Sequence, residues 1–387
     1  MSAATTQATE VDAKLKKYNV FLAEDPKNLN LLAEVIDLNI YLKNYNDAKS
    51  KIIDALSIEK DNPYFKLRLS TIYLAESDYA ASIEITSELI NNNFIDPEIK
   101  FNHGYALALH GEYDQAKEFL QELYNSEHHF QLLPATLIRT LHHLGEIDEA
   151  IVIADQQLQI HPNDDVVMGM LSLLYFDNDD FTNAQLYADK TLALSPNNLD
   201  ALVTAGGTYI GDERIDEASE ILIKASKLQP NNGRIWVKIG LIDMLNQDLP
   251  AAESNVRTAL KCMPEHIGSW HVLGWIQIMQ NDVNGAEASF NHALSLDRNF
   301  GETYGGLAII EGLKGNWAAA DEHTKKAKFL GGEVMSSYYV HYLKLKARGR
   351  DEEIDTLKNM VLSTNKLPNG STFQDFLNKV SNRNLKK

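Results

Sequence analysis

Asp165 to Asn198 reads DVVMGMLSLLYFDNDDFTNAQLYADKTLALSPNN. Its first twelve residues place Met168, Leu171, Leu174 and Tyr175 at helical spacing, so a helix is expected over 166–177. Asn178-Asp179-Asp180 then supplies residues suited to a tight turn. From Phe181 to Leu194 the small and apolar residues Ala184, Tyr187, Ala188 and Leu192 again keep helical spacing, and Pro196 stops the chain from continuing as helix. The stretch is one helix–turn–helix unit of 34 residues.

The same unit repeats on both sides without insertion or deletion. Alanine recurs every 34 residues at Ala48, Ala116, Ala150, Ala184, Ala218, Ala252, Ala286 and Ala320, with Ser82 filling the missing beat. Nine windows therefore run from Leu29 to Val334. Position 8 of the window is small in most of them: Ser70, Gly104, Ser172, Gly206, Gly240, Gly274 and Ala308. Small residues at positions 8 and 20 are expected to face each other where the paired helices cross closely. Gly111, Gly145, Asp179, Asn281 and Gly315 mark turns, and Pro162, Pro196, Pro230 and Pro264 close the units. This period stacks units into an all-α solenoid of antiparallel helix pairs.

The register predicts three regions. Residues 1–28 are a tail and capping helix (Tyr18, Phe21, Pro26), and 29–334 are nine tandem units forming one elongated body. Residues 335–387 are a degenerate pair from Tyr338 to about Met360, then a closing helix near Phe373–Val380 and a basic tail. Windows one to four depart most from the pattern: Ile36 and Ile138 take the small position, and Lys60, Phe94 and His128 stand where proline would.

In window seven, Trp236, Ile239, Gly240, Ala252, Ala259 and Pro264 occupy positions 4, 7, 8, 20, 27 and 32; Trp270, Leu273, Gly274, Ala286, Phe290 and Ala293 repeat most of that set one window later. This multi-position pattern resembles the tetratricopeptide repeat family over about four-fifths of the chain, and is similar to bacterial chains made wholly of such repeats. The resemblance implies a right-handed superhelix with the first helix of every pair on the concave face. It also implies that positions 2, 5, 9 and 12 there point at a ligand: Leu67, Leu74, Phe101, Tyr105, Val166, Leu173, Phe176, Val203, Ile210, Val237, Leu241, Met244, Trp275 and Ile278. Such an apolar row suits capture of an amphipathic or extended apolar segment. Phe101, Tyr105, Leu173, Phe176, Leu241, Met244 and Trp275 are the expected partner-binding residues. Position 5 carries no lysine in any window, so the clamp with which co-chaperones of the family hold acidic tails is not expected.

Composition narrows the function further. The net charge is −18, against nucleic acid as a direct ligand. Residues 101–200 alone carry −13, with only Lys117, Arg139 and Lys190 basic, whereas 301–387 carry +4. The acidic middle favours a partner with basic as well as apolar residues. Lys344, Lys346, Arg348 and Arg350 could meet that middle in another copy, so head-to-tail self-association is an expected mode. The N-terminus has no basic start or apolar run, predicting no signal peptide, no membrane insertion and a cytoplasmic location. The single cysteine, Cys262, is expected to be a buried, inert thiol.

Nothing points to catalysis, a cofactor or a metal. Six of twelve histidines fall between His103 and His143 (with His110, His128, His129 and His142), and His110 and His143 could approach one another, but the spacing matches no ligand motif. The Asp177–Asp180 turn lacks the alternation and distal glutamate of a calcium loop. The expected function is a non-enzymatic protein-interaction module, as scaffold or assembly factor. The alternatives are a chaperone-like factor for secretion or pilus subunits, or a peptide-responsive regulator.

Overall fold

The computed structural model describes residues 3–126, 128, 130–331 and 334–364; the expected closing helix at 373–380 and His129 lie outside them. The described residues hold 21 helices and no strand. After α1 (Ala3–Glu24), the first helices of the pairs are α2 (Leu29–Tyr41), α4 (Pro63–Ala75), α6 (Pro97–His110), α8 (Leu133–His143), α10 (Asp165–Asp177), α12 (Leu199–Gly211), α14 (Gly233–Leu245), α16 (Ile267–Met279) and α18 (Gly301–Leu313). Their partners are α3 (Tyr45–Ile58), α5 (Tyr79–Asn91), α7 (Tyr113–Asn125), α9 (Ile147–Ile160), α11 (Phe181–Leu194), α13 (Ile215–Leu228), α15 (Leu249–Cys262), α17 (Val283–Leu296) and α19 (Trp317–Phe329). A further pair follows, α20 (Val334–Ala347) and α21 (Asp351–Thr364). The second helices begin 34 residues apart from Tyr45 to Asp351, so the degenerate pair keeps the beat.

The turn inside each pair explains that regularity. Position 15 is left-handed in all nine windows: Lys43, Ser77, Gly111, Gly145, Asp179, Glu213, Gln247, Asn281 and Gly315 have φ between 58° and 95°. Gly349 has φ 63° at the same place in the tenth pair. The next residue donates its N–H back to the carbonyl five residues earlier, as in Asp180 to Tyr175 (2.9 Å), Arg214 to Tyr209 (2.8 Å) and Asp248 to Asp243 (2.9 Å). This is a Schellman closure, and it requires the left-handed conformation whatever the side chain. Composition pointed to glycine, asparagine and aspartate here, and missed Lys43, Ser77, Glu213 and Gln247.

Many helix starts are capped by side chains, while those of α3, α7, α8, α9, α13, α18 and α19 are not. Asn28, Asn62, Asp96, Asn198 and Asn232 accept N–H groups of the first helices, and Asp78, Asp180, Asp248 and Asp282 do so for second helices. Phe130 stands where α8 would need such a cap. That helix starts at Leu133, two residues behind the beat, and is 11 residues long.

The small residue at position 8 meets position 24 more closely than position 20. A Cβ on Gly206 would fall 2.5 Å from Leu222 Cγ, on Gly240 2.6 Å from Val256 Cγ2, and on Gly274 2.7 Å from Phe290. Where position 8 is Ile138, position 24 is Ala154, and both are fully buried, so volume is exchanged across the pair. Window one instead buries Ile36 and Ile52 together, in a core shared with Leu15 and Leu22 of α1. Ser82, the odd beat at position 20, hydrogen-bonds Ser70 across the hairpin (3.0 Å, both buried).

The chain packs as two compact units, Met1–Met170 and Leu171–Lys387, dividing within α10, where the even register predicts one body. Each repeat touches only its neighbours, so cohesion can change at one boundary without disturbing the period. Unit one has its largest core around Leu32, Val35, Ile52, Phe65 and Ile72. Unit two holds a series of cores, among them Leu202, Ile215, Leu222 and Ile242, then Ala286, Phe290 and Ile310.

Two stability measurements test this account. Glu213→Gly or Gln247→Gly relieves a left-handed non-glycine residue, worth about 1–2 kcal/mol, less about 0.4–1 kcal/mol for the freer unfolded chain. Each variant is expected to shift the urea midpoint upward, and an unchanged or lower midpoint contradicts the strain. Gly206→Ala is expected to cost about 1–3 kcal/mol by overpacking on Leu222. Adding Leu222→Ala should leave the double variant less destabilised than the sum of the singles; strict additivity would disprove the contact.

Candidate partner-binding face

Burial sorts the sequence-predicted residues on the first helices. Phe101, Tyr105, Phe176, Leu241 and Met244 are half-buried, and Trp275 is 37% exposed. Leu173 is 6% exposed, and its side chain offers almost no area to a ligand; Leu67 and Val203 are buried likewise. These three belong to the packing between helices, because the inward side of a stacked helix is wider than the period alone indicates.

In unit one the two predicted aromatics are brought together, with a third ring that the sequence reading missed. Phe101 stacks on Tyr105 (5.7 Å between centroids, 8° between planes) and, on its other face, on Phe130 (4.6 Å, 5°). Phe130 precedes the late start of α8 at Leu133, and its residue type gave no signal of this, since Phe300 stands at the same place before α18, which starts on the beat. Next to the stack is a cavity of about 350 Å³ lined by Tyr105, Leu109, Tyr113, Thr136, Arg139 and His143, among others. His143 lies flat on Tyr113 (4.3 Å, 7°). The surface thus combines apolar ring faces with polar edges, the composition of a peptide-recognition pocket.

Charge on the same face of unit one is already spent. Arg68 bridges Asp37 (2.7 Å) and Glu98 (2.8 Å), tying α2, α4 and α6 together, and Tyr64 donates to Asp37 (2.6 Å). Burial and the bond to Asp37 push the Tyr64 hydroxyl up to about 12. Lys117 is paired with Glu146 and Glu149 (3.4 Å to Glu149).

In unit two, Phe176 meets Phe181 edge-on (5.5 Å, 75°) and carries the ammonium of Lys238 over its ring at 4.3 Å. Gly207 lies against both: a Cβ there would sit 2.7 Å from Phe176 and 2.8 Å from Lys238 Nζ. Among the described residues no acceptor is hydrogen-bonded to that ammonium. Burial pushes it down to about 8, with Asp177 opposing and Arg234 assisting. Arg234 itself contacts Asp177 (3.4 Å). The survey of position 5 passed over this pair, because Arg234 and Lys238 stand at positions 2 and 6 of window seven. Further on, Trp275 meets Phe290 edge-on (6.3 Å, 88°), and Met244 packs on the core of Val256 and Leu273.

The remaining polar candidates are structural. His103 is buried, bonds Thr86 Oγ1 (2.8 Å) and is held by burial below the usual histidine range. His271 does the same with Thr303 (2.8 Å), joining α16 to α18. His110 Nε2 is 3.9 Å from Glu112. No group of three or more His, Cys, Asp or Glu among the described residues is placed to hold a metal. The Asp177–Asp180 turn is a Schellman closure followed by an N-cap, Asp180 accepting from the Asn183 N–H at 3.0 Å. Cys262 corrects an expectation: it is exposed, because it is the last residue of α15, where the helix end turns its side chain outward. No helix among the described residues is long and apolar enough to cross a membrane.

Lys238 has a testable pH signature. Its folded value lies below that of a free lysine, so the unfolded chain binds more protons between about pH 8 and 10.5, and folding gains stability as pH rises through that window. Below pH 8 the charged side chain carries a penalty of up to about 3 kcal/mol. Lys238→Met is therefore expected to be the more stable protein at pH 7, with the advantage shrinking by pH 10.5. A difference in urea midpoint that stays constant with pH refutes the buried charge.

Comparison with known proteins follows the repeat. A family model described as tetratricopeptide repeat matches residues 175–238, and a second with the same description matches 267–300. No curated protein matches the sequence. Among solved structures, a human IFIT1 dimer with m7Gppp-AAAA is similar over 87% of this chain and 82% of that one, at TM-score 0.56 and 16% identity. A tetratricopeptide repeat protein from Parabacteroides merdae matches over 64% and 98% (TM-score 0.45, 17% identity), and MamA over 41% and 92% (TM-score 0.35, 21% identity). At 16% identity the IFIT1 structure speaks for the fold alone. Ten helix pairs on a 34-residue beat, with two stretches that match the family's own repeat, make this chain a tetratricopeptide-repeat protein built as a protein-interaction module.

Proposed function

We propose that the chain is a non-catalytic scaffold or assembly factor that holds an apolar segment of a partner protein on its first helices. The observation that carries this reading is the Phe130–Phe101–Tyr105 stack beside a cavity of about 350 Å³ in unit one. A row of half-buried rings is held rigid by its packing and offers its remaining faces as a low-entropy surface to an incoming side chain. In unit two, Phe176, Leu241, Met244 and Trp275 present further apolar area, and Lys238 supplies unused donors for a main-chain carbonyl or carboxylate of the partner. Leu173, buried within α10, takes no direct part in this reading. The −13 charge of residues 101–200 draws basic residues flanking the apolar segment. Residues 29–334 form the repeat array in this reading, with 1–28 and 335–387 as its ends.

The net charge of −18 sets this chain apart from a binder of phosphate backbones, whatever fold it shares with IFIT1. A chaperone-like role for secretion or pilus subunits, or a peptide-responsive one, would use the same residues with faster exchange. The test takes a partner captured from native extract and measures its affinity for wild type and for Phe101→Ala, Tyr105→Ala and Trp275→Ala chains. Loss of about ten- to a hundredfold at Phe101 or Tyr105, with helicity unchanged, is the expected result. Equal affinity for all four proteins overturns the assignment of this face.

A further inference from the structure

Phe329 is 88% exposed, far more than any other large apolar side chain described. It ends α19 at position 29 of its window, where the other windows carry Ser57, Asn91, Asn125, Gln159, Ala193, Lys227, Lys261 and Ser295. The repeat thus has no packing use for a large residue there. Exposed Lys325 and Lys328 flank it on the same helix end. Lysines at a helix C-terminus are accounted for by the helix dipole, but the phenyl ring among them is not. Three other basic residues nearby are less available: Lys344 is paired with Asp321, Arg350 with Glu353 (2.8 Å), and Lys346 lies near the Tyr342 ring (5.9 Å).

A socket of opposite character opens in unit one. The late start of α8 leaves Gln131 and Leu132 outside the helix, and a cavity of about 590 Å³ lies between that start and the end of α9. Its apolar rim is exposed: Ile160 by 69%, Leu132 by 50% and Val166 by 48%. Asp164 and Asp165 stand at the same cavity, in the hundred residues that carry −13. An apolar rim with carboxylates fits an aromatic side chain accompanied by lysines.

We propose that Phe329 of one copy inserts into the Leu132–Ile160–Val166 socket of a second copy, with Lys325 and Lys328 facing Asp164 and Asp165, so that the chain self-associates head to tail. The occupant is a second copy because both halves are carried by every chain and their charges are opposite. Residues 365–387 carry five basic side chains and one acidic, the same sign as the Phe329 end, and are repelled from it. The contact joins two different surfaces, so it leaves a knob open at one end and a socket open at the other, and extends with concentration instead of stopping at a dimer.

Sedimentation velocity of the full chain at rising concentration and at low and high salt is the test. Wild type is expected to grow in mass with concentration and to shrink at high salt. Phe329→Ser and Ile160→Ser both alter exposed side chains and should fold normally, each associating about ten- to a hundredfold more weakly. The decisive arm mixes the two variants. Phe329→Ser keeps its socket and Ile160→Ser keeps its knob, so together they should form a complex of one copy of each and stop. A wild type that is monomeric at every concentration overturns the proposal. So does association that survives both substitutions, or variants whose mixture stays monomeric. Binding of monomeric wild type to anionic vesicles through Phe329 would overturn it in favour of a lipid surface. None of these outcomes involves Phe101 or Tyr105, so this contact and the partner-binding face fail or stand separately.

Discussion

Everything regular in this protein depends on the left-handed residue that closes the first helix of each pair. Once position 15 adopts positive φ, the following N–H returns to a carbonyl inside the helix and the chain reverses with no freedom in length. That fixes where the second helix starts, and nine repeats of the same closure hold the 34-residue beat from Tyr45 to Asp351. The closure is made by main-chain atoms, so it tolerates Lys43, Ser77, Glu213 and Gln247 at a strain that glycine would avoid. Drift in side-chain identity is therefore expected at the turns, and drift in length is not.

Packing inside the pair is less strict, because it constrains a sum of volumes and not single residues. Glycine against leucine, valine or phenylalanine, isoleucine against alanine, and serine against threonine all fill the space between positions 8 and 24. Window four keeps this exchange with Ile138 against Ala154, whereas window one buries Ile36 and Ile52 together in a core shared with α1. Window four departs instead at its start, where α8 begins two residues late at Leu133. One local loss produces two surface features: Phe130 is released to extend an aromatic stack, and a socket opens beside Leu132. Both of the chain's most distinctive surfaces in unit one lie beside the late start of α8.

This also explains what could be read from sequence. Helix limits in Asp165–Asn198 were legible to within one residue because apolar spacing and turn chemistry agree there. The existence of the degenerate pair was legible too, but its limits, expected at Tyr338 and about Met360, lie four residues further out at Val334 and Thr364. Exposure was not: Leu173 and Trp275 both occupy ligand-facing positions, yet one is buried and the other open. A neighbouring helix, not the residue's own period, decides that. Cys262 was misread because position 30 is apolar in several windows, and the outward turn of the last residue of a helix has no compositional sign. Lys238 was overlooked because only position 5 was searched for lysine. Its environment is assembled from three windows, through Phe176, Gly207 and Lys238, which no local motif reports.

The division between fold and function in this molecule follows from which atoms bear each burden. Main-chain closures and volume sums need few specific side chains, so the outward residues of every first helix are left to vary. Two proteins can share the closure and nothing else, and a similarity of fold at 16% identity carries no ligand across. What distinguishes this chain is the use it makes of that freedom: ring faces gathered in unit one, an ammonium laid on Phe176 in unit two, and charge of opposite sign toward its two ends. A uniformly charged solenoid would keep copies apart. An acidic middle with a basic end instead makes the approach of other chains directional, and directional approach is what a protein that assembles others requires.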